Sequence, residues 1–403
     1  MMDMKQKLQE TYTPDKDGRR KKVVIALGGG LNSYVTAYLL KIQKYDLIAV
    51  TVAVSWDDFK GDPSSSLSCF LKQTDLESIR DFCHQLGIPH LIIKSIDDFK
   101  EVVVGNWVGS KMTGIFSDPC WNCHELRMKL LFQKTIELEA HSLATGHMGK
   151  IFKHEAHGTA YVHSSNDEAS DQSSLLSRLP VEILNKLMLP LSDLHQNEIN
   201  KLAENFGVEQ NLKKLKGIKC FDSDKSTQEY LESNIPEKYR QPGEIIGPEQ
   251  AEFGEHQGIF HYSFGQSITL PGTKGSEDWK FRKAFFKERR LEIAREDYFI
   301  RNKLFLNECI ISAETSWMEP FKAVIKIHES DFIECFIYPK NFSSAVIELE
   351  APAYVLEGAI VSVFKKKGKG AKLLFTGKAR YIAEPPAQEE GSQIVKVDYS
   401  RNF

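Results

Sequence analysis

The chain contains no apolar run approaching the roughly 20 residues that cross a bilayer, which excludes a helical membrane span and leaves no membrane partner to expect. The opening segment, MMDMKQKLQETYTPDKDGRRKK, is too polar for a secretory signal, so the expected compartment is the cytoplasm. An excess of charge of one sign is missing too. The formal net charge is −3, so no global basic field gathers nucleic acid, and any RNA contact has to come from local patches. Cysteine is sparse and odd in number, seven in 403 residues. That argues against a disulfide framework and leaves structural thiols beside a reactive or metal-binding subset. There is no long internal repeat, and the glycine-rich stretch near the start lacks the Gly-Lys-Ser/Thr of a Walker loop.

What is present is an ordinary globular composition, 41% hydrophobic and 27% charged, with chain enough for a sizeable core and two to three domains. Residues 1–20 read as a flexible tail. From Lys21 to Gly207, strand-like runs (Val23–Leu27, Leu47–Val54, His90–Lys94, Ser142–Thr145) alternate with helical ones (Tyr34–Leu40, Thr74–Leu86, Cys123–Glu139). The alternation predicts an α/β domain over 21–207 with a doubly wound parallel sheet, whose ligands sit beyond the carboxyl ends of the strands. GGGLNS (Gly28–Ser33), SWDD (Ser55–Asp58) and ATGH (Ala144–His147) all fall at such ends. From Val208 to Arg301 the turn signals Gln241-Pro242-Gly243, Ile246-Gly247-Pro248 and Leu270-Pro271-Gly272 predict a small α+β central domain. Over 302–403, Phe321–Ile327, Phe332–Ile337, Ala345–Leu349, Ile360–Phe364 and Leu373–Phe375 predict a C-terminal β-barrel. Ser164–Ser174, acidic and serine-rich, reads as a loop.

Three constellations carry chemistry. GGGLNS follows an apolar strand and opens a helix. Glycines there let backbone N–H groups approach an anion, and the helix N-terminus adds its positive dipole. Cys120-x-x-Cys123, inside DPCWNCH, puts two thiols within reach of one metal or poises one against the other. Ser117-Asp118-Pro119 marks a loop-to-helix junction there, and a helix N-terminus favours a reactive thiolate. Two unrelated core thiols are the plainer alternative. Gly146 and His147 of ATGH admit two readings, the close approach of a nucleotide or a capping histidine in a turn. Cys220 follows a basic stretch, whereas Cys69, Cys83, Cys309 and Cys335 read as structural. His154, His157 and His163 read as a solvated loop. Of the basic clusters, Lys365–Lys372 on a hairpin tip is the best candidate for neutralising phosphates.

Taken in order, GGGLNS, the segment Cys69–Pro89, DPCWNC, ATGH, DQSSLLS, LPLSDLHQNEINKLAENFG and GEHQGIFHYSFGQ (Gly254–Gln266) resemble the tRNA-specific 2-thiouridylases, over about Lys21 to Ile382. These belong to the pyrophosphate-loop superfamily, with an adenine-nucleotide α-hydrolase-like domain. The resemblance implies ATP-dependent adenylation of a uridine C2 oxygen in tRNA. Sulfur then comes from a cysteine persulfide, and a second cysteine resolves it as a disulfide. By position Cys123 matches the sulfur carrier and Cys220 its partner. Gly28, Gly29, Gly30, Asn32, Ser33, Gly146 and His147 match the nucleotide site. Asp118, Cys120, Asp171, Gln172 and Lys326 match RNA-contacting positions. ATP and Mg²⁺ are the implied cofactors, and tRNA and a persulfide-donor protein the implied partners.

The chain departs from the family pattern at several of these positions. Gly28 replaces the loop serine, Asn32 the loop aspartate, Cys120 the aspartate of an Asn-Pro-Asp motif and Ser170 a lysine. Lys326 and Ile327 replace an Arg-Tyr pair. Two alternatives therefore stand beside thiolation. One is a catalytically impaired paralogue acting through RNA binding. The other is a thiolase in which Cys120, Cys123 and Cys220 hold a [4Fe-4S] cluster with one open iron.

Overall fold

The computed structural model describes residues 20–53, 73–154, 159–208, 237, 240–270, 278–311, 319–327 and 330–382. Ser55–Asp58, Cys69, His157 and Cys220 lie outside them. The first unit is built on β1 (Lys22–Ala26), β2 (Asp46–Ala53), β3 (His90–Lys94) and β4 (Ser142–Ala144). A hairpin, β5 (Lys150–His154) and β6 (Thr159–His163), follows, and then the short β7 (Leu187–Met188). The parallel sheet runs β3-β2-β1-β4-β7. Because side chains alternate across a strand, Val23, Ile25, Leu47 and Ala49 face α1 (Leu31–Ile42) and α2 (Gln73–Leu86). Val24, Val50 and Val52 face the other way, toward Met128 and Leu131. Helices on both faces make the sheet doubly wound.

After β3 the chain leaves the sheet. Ile96–Asp98 and the π-helical turn Phe99–Val104 lead into α3 (Gly105–Thr113), and α4 (Pro119–Glu137) brings the chain back. Phe99, Val103 and Trp107 of this arm share one core with Ile245, Phe260, Phe281 and Leu291. The second sheet comprises β8 (Gly243–Ile246), β9 (Glu252–His256), β10 (Trp279–Phe285) and β11 (Arg290–Arg295), in the order β10-β11-β8-β9. Its apolar face is closed by the arm of the first unit, since four short strands cannot bury a face alone. Lys111, buried at 1% exposure, locks this contact. Its ammonium donates to the carbonyls of Phe260 and Tyr262 and lies 4.0 Å over the Trp107 ring.

The third unit is a closed barrel of β12 (Ile300–Ile311), β13 (Phe321–Ile327), β14 (Ile333–Asn341), β15 (Ser344–Tyr354), β16 (Ile360–Phe364) and β17 (Leu373–Tyr381), in the order β12-β15-β14-β13-β16-β17. β12 is irregular along its length. Its register shifts between Arg301 and Lys303 against β15, and between Asn307 and Ile310 against β17, so no clean period of two survives in its sequence.

The segment read as a loop of solvated histidines is a hairpin. His154 closes β5, and His163 lies in β6, its ring centroid 4.3 Å from that of Phe152 and its Nδ1 3.0 Å from the Gly370 carbonyl oxygen. Ser164–Ser174 is packed rather than solvated: Ser164, Ser165, Ser173 and Ser174 are buried, and Ser164 bonds Gly368 and Ala371 of the barrel.

Candidate active site

The edge where β1 and β4 end carries the site. Leu27 closes β1 by donating its N–H to the Val50 carbonyl at 3.0 Å. Gly29 then turns through φ +80°, a left-handed backbone that only glycine takes at no cost, and α1 starts at Leu31 on the N-cap Gly30. A glycine cap offers no side-chain acceptor, and the first turn carries no acidic residue. The start of that turn thus has no side-chain acceptor or acid of its own in front of the positive end of the helix dipole, an arrangement suited to an anion. Ser33 spends its hydroxyl on the Gly30 carbonyl, 2.7 Å away. Asn32 donates from Nδ2 to the carbonyl of Gly146 and to Gln196 Oε1, both at 3.4 Å.

Gly146 is needed by the protein's own backbone. A Cβ there would sit 2.8 Å from Asn32 C and 2.9 Å from Ser33 N, so the approach that requires this glycine is that of α1. At Gly28 a Cβ would meet nothing within 4 Å.

α4 supplies the thiols. Asp118 caps it, Oδ1 accepting from the Cys120 N–H at 2.7 Å, with Pro119 in the first helical position. The Asp118 carboxylate therefore faces its own helix. Cys120 and Cys123 are half-buried and not joined in a disulfide. The spacing of 3 and 4 puts Cys120, Cys123, His124 and Arg127 on one face.

His124 meets His147 edge to face, with ring centroids 5.0 Å apart at 86°. That contact brings the thiol face of α4 to the end of β4, the neighbour of β1, from which the glycine loop leads. His147 Nδ1 lies 2.9 Å from Thr145 Oγ1. Burial pushes His147 down to about 4. Burial, then the neighbouring His147 and Arg127, holds His124 well below the usual imidazole range. Both rings are neutral at pH 7. Both nitrogens of His124 are buried with no hydrogen-bond partner among the described residues. His124 was not singled out from sequence. Its signal was its place directly after Cys123.

Of the positions expected to touch RNA, Lys326 and Asp171 meet each other. Lys326 Nζ lies 3.2 Å from Asp171 Oδ2, with side chains 11% and 1% exposed, and Lys326 stacks on Phe332 at 4.6 Å. Asp171 Oδ1 accepts from the N–H groups of Ser165 and Ser173. Gln172 Oε1 accepts from the Met148 N–H at 3.0 Å. The Asp171–Lys326 pair fastens the first unit to the barrel, whereas the Gln172 contact lies within the first unit. The Lys365–Lys372 segment does form the tip between β16 and β17, with Lys372 4.6 Å over Tyr161 and Lys367 2.7 Å from Glu334. Among the described residues no three His, Cys, Asp or Glu side chains converge as metal ligands. Burial raises the thiols of Cys83 to about 11 and of Cys309 and Cys335 to about 12, as suits structural cysteines. Among the described residues no helix is long and apolar enough to cross a membrane.

A glycine loop opening a helix and a thiol-bearing helix at one edge of a doubly wound sheet, joined to a β-barrel, are the architecture of the pyrophosphate-loop class. The family model described as "tRNA methyl transferase HUP domain" matches residues 21–222. The chain is 28% identical over 336 residues to the tRNA-specific 2-thiouridylase MnmA of Clostridium acetobutylicum, covering 82% of this chain and 92% of that protein. It is 28% identical over 322 residues to the Halothermothrix orenii enzyme of the same name, covering 79% and 88%. With that of Clostridium perfringens it shares 32% identity over 248 residues, covering 61% and 68%. The chain belongs to the tRNA-specific 2-thiouridylase family.

Proposed function

We infer that this protein replaces the C2 oxygen of a tRNA uridine with sulfur, drawing on ATP, with Cys123 as the sulfur carrier. The observation that supports this most directly is the His124–His147 contact, which brings the thiol face of α4 to the end of β4, beside the β1 end from which α1 starts. An amide-like oxygen leaves poorly, and ATP supplies the adenylyl group that makes it a leaving group. The N–H groups of Gly28, Gly29, Gly30 and the first turn of α1 suit the phosphates, since the turn has neither a side-chain cap nor an acid. Neutral His124 and His147 add no charge beside the thiol face.

The outer sulfur of a Cys123 persulfide bonds to C2 as the C–O bond breaks. A second thiol then attacks Cys123 Sγ, releasing the C2=S product and closing a disulfide. Cys220 is the proposed second thiol. A donor protein carrying a persulfide reloads Cys123 after reduction. Mg²⁺ is proposed to enter with the ATP phosphates. At position 32 the protein offers an amide in place of a carboxylate, so the cation has to be held mostly by phosphate oxygens and water.

The test is mass spectrometry of tRNA thionucleosides from cells with the gene, without it, and with Cys123→Ser. Loss of one 2-thiouridine species in the last two establishes the reading. Unchanged thionucleosides refute it and favour an RNA-binding paralogue. Iron content after anaerobic purification tests the cluster reading, in which Cys120, Cys123 and Cys220 would hold it.

A further inference from the structure

α4 presents a second face. Asp118, Trp121, Asn122 and Glu125 follow the same 3-and-4 spacing as the thiol stripe but point nearly opposite to it. They wall a cavity of about 320 Å³ at the seam between the first unit and the barrel. Arg178 and the barrel residues Ile360, Lys378 and Arg380 line its other side.

Three cations stand at this seam, and the carboxylates beside them are already engaged. Glu125 Oε1 accepts from Arg178 Nε at 3.0 Å, Lys378 Nζ lies 2.6 Å from Glu308 Oε2, and Asp118 caps α4. Although burial works the other way, the bonded Lys378 together with Arg178 and Arg380 holds Glu308 below the ordinary glutamate range, so all three cations act on one carboxylate. What remains over is donors. Nη1 of Arg178 and Nη1 of Arg380 are each buried with no hydrogen-bond partner among the described residues, and the Arg178 side chain is only 12% exposed. A guanidinium stays charged, and a buried N–H of a charged group left unmet is costlier than a neutral one.

We propose that this interdomain cavity is an oxyanion subsite that takes one phosphate of an RNA backbone. Guanidinium forks match phosphate oxygens in geometry and charge. The backbone of a bound strand is favoured over free phosphate by position. The cavity lies across α4 from the thiol face, about one helix diameter or roughly 10 Å away, and both the nucleotide-binding unit and the barrel wall it. A phosphate gripped there sets the register of a strand whose base reaches Cys123. The subsite thus rests on the functional reading above and makes Arg178 and Arg380 positioning residues.

The experiment uses the full chain with Arg380→Gln and Glu125→Gln. It measures the Kd for an unmodified tRNA transcript across a KCl series, with inorganic phosphate titrated in parallel and ATP binding read separately. Arg380→Gln is expected to weaken RNA binding roughly 3- to 10-fold and to lower the salt slope by about one, with ATP binding unchanged. Glu125→Gln is expected to tighten RNA binding, because it removes a competing carboxylate from Arg178. A merely structural pair would leave RNA affinity untouched. If Arg380→Gln melts early, Glu125→Gln carries the test. Wild-type RNA affinity and salt slope in both variants overturn the proposal, including the case in which only inorganic phosphate binding changes. Thionucleoside analysis of cells carrying the same variants reads the functional assignment separately. Thiolation intact with RNA binding unaltered sinks the subsite alone, and thiolation absent from wild type sinks the assignment.

Discussion

Asn32 and Gln196 hold each other by a reciprocal pair of amide hydrogen bonds. Gln196 Nε2 donates to Asn32 Oδ1 at 3.1 Å, and Asn32 Nδ2 donates to Gln196 Oε1 at 3.4 Å. The pair ties the first turn of α1 to that of α5 (Gln196–Asn205), and Asp167 Oδ2 fixes α5 by accepting from the Gln196 N–H at 2.9 Å. A carboxylate at position 32 would keep an acceptor but lose the donor that serves both Gln196 and Gly146.

Restoring the family residues to the loop separates binding from turnover. Asn32→Asp is expected to cost about 1 kcal/mol through the lost donor. Gly28→Ser enters open space and is expected to change stability by no more than about 0.5 kcal/mol. The double variant is expected to release pyrophosphate faster than wild type with tRNA present. A rate at or below wild type would show that the amide pair is the working form of this loop.

Gly146→Ala is expected to be far worse than Gly28→Ser. The new methyl meets backbone atoms of Asn32 and Ser33 at 2.8 and 2.9 Å, so α1 has to shift. Overpacking of this kind costs about 1–3 kcal/mol. Urea denaturation reads the loss, and ATP titration is expected to show weakened binding, because the displaced turn is the proposed phosphate cradle.

Breaking the Asp171–Lys326 pair is expected to loosen the barrel from the first unit. With both side chains nearly inaccessible, removing one partner leaves a buried charge and costs about 3–5 kcal/mol. Asp171→Asn should raise protease sensitivity between the units, and adding Lys326→Met should recover much of the loss. Equal sensitivity in all three proteins would refute the lock.

Stability is expected to fall in acid through the histidine pair. His147 sits at about 4 in the folded protein, against an ordinary 6.5. The unfolded chain therefore takes up its proton first as the pH drops. The contribution is fully present above 6.5 and is lost as the pH falls toward about 4, at most about 3 kcal/mol for His147. Denaturation midpoints at pH 7.5 and pH 5 check the sign, and His147→Asn should flatten the difference.

Four strands of the first sheet were legible because each has a short apolar centre, Val23–Leu27 the clearest, whereas the two-residue Leu187–Met188 is too short to read. α4 was legible at its start through Asp118-Pro119, which reads locally as a cap and a first turn. β12 was not, because its bulges destroy the alternation on which reading depends. The arm from Phe99 to Thr113 was missed as a structural partner, since its apolar face is completed by residues more than a hundred positions away.

The glycine loop, the thiol spacing and the order of modules follow from sequence alone, because turns, caps and periodicity are properties of neighbouring residues. Only the tertiary structure decided how the conspicuous residues are used. It spent Gly146 on the approach of α1, turned Asp171 and Lys326 inward upon each other, and set His124 against His147. Each of these depends on which chain segments pack together and on the cost of burying a charge or a donor unmet, and no local pattern encodes that.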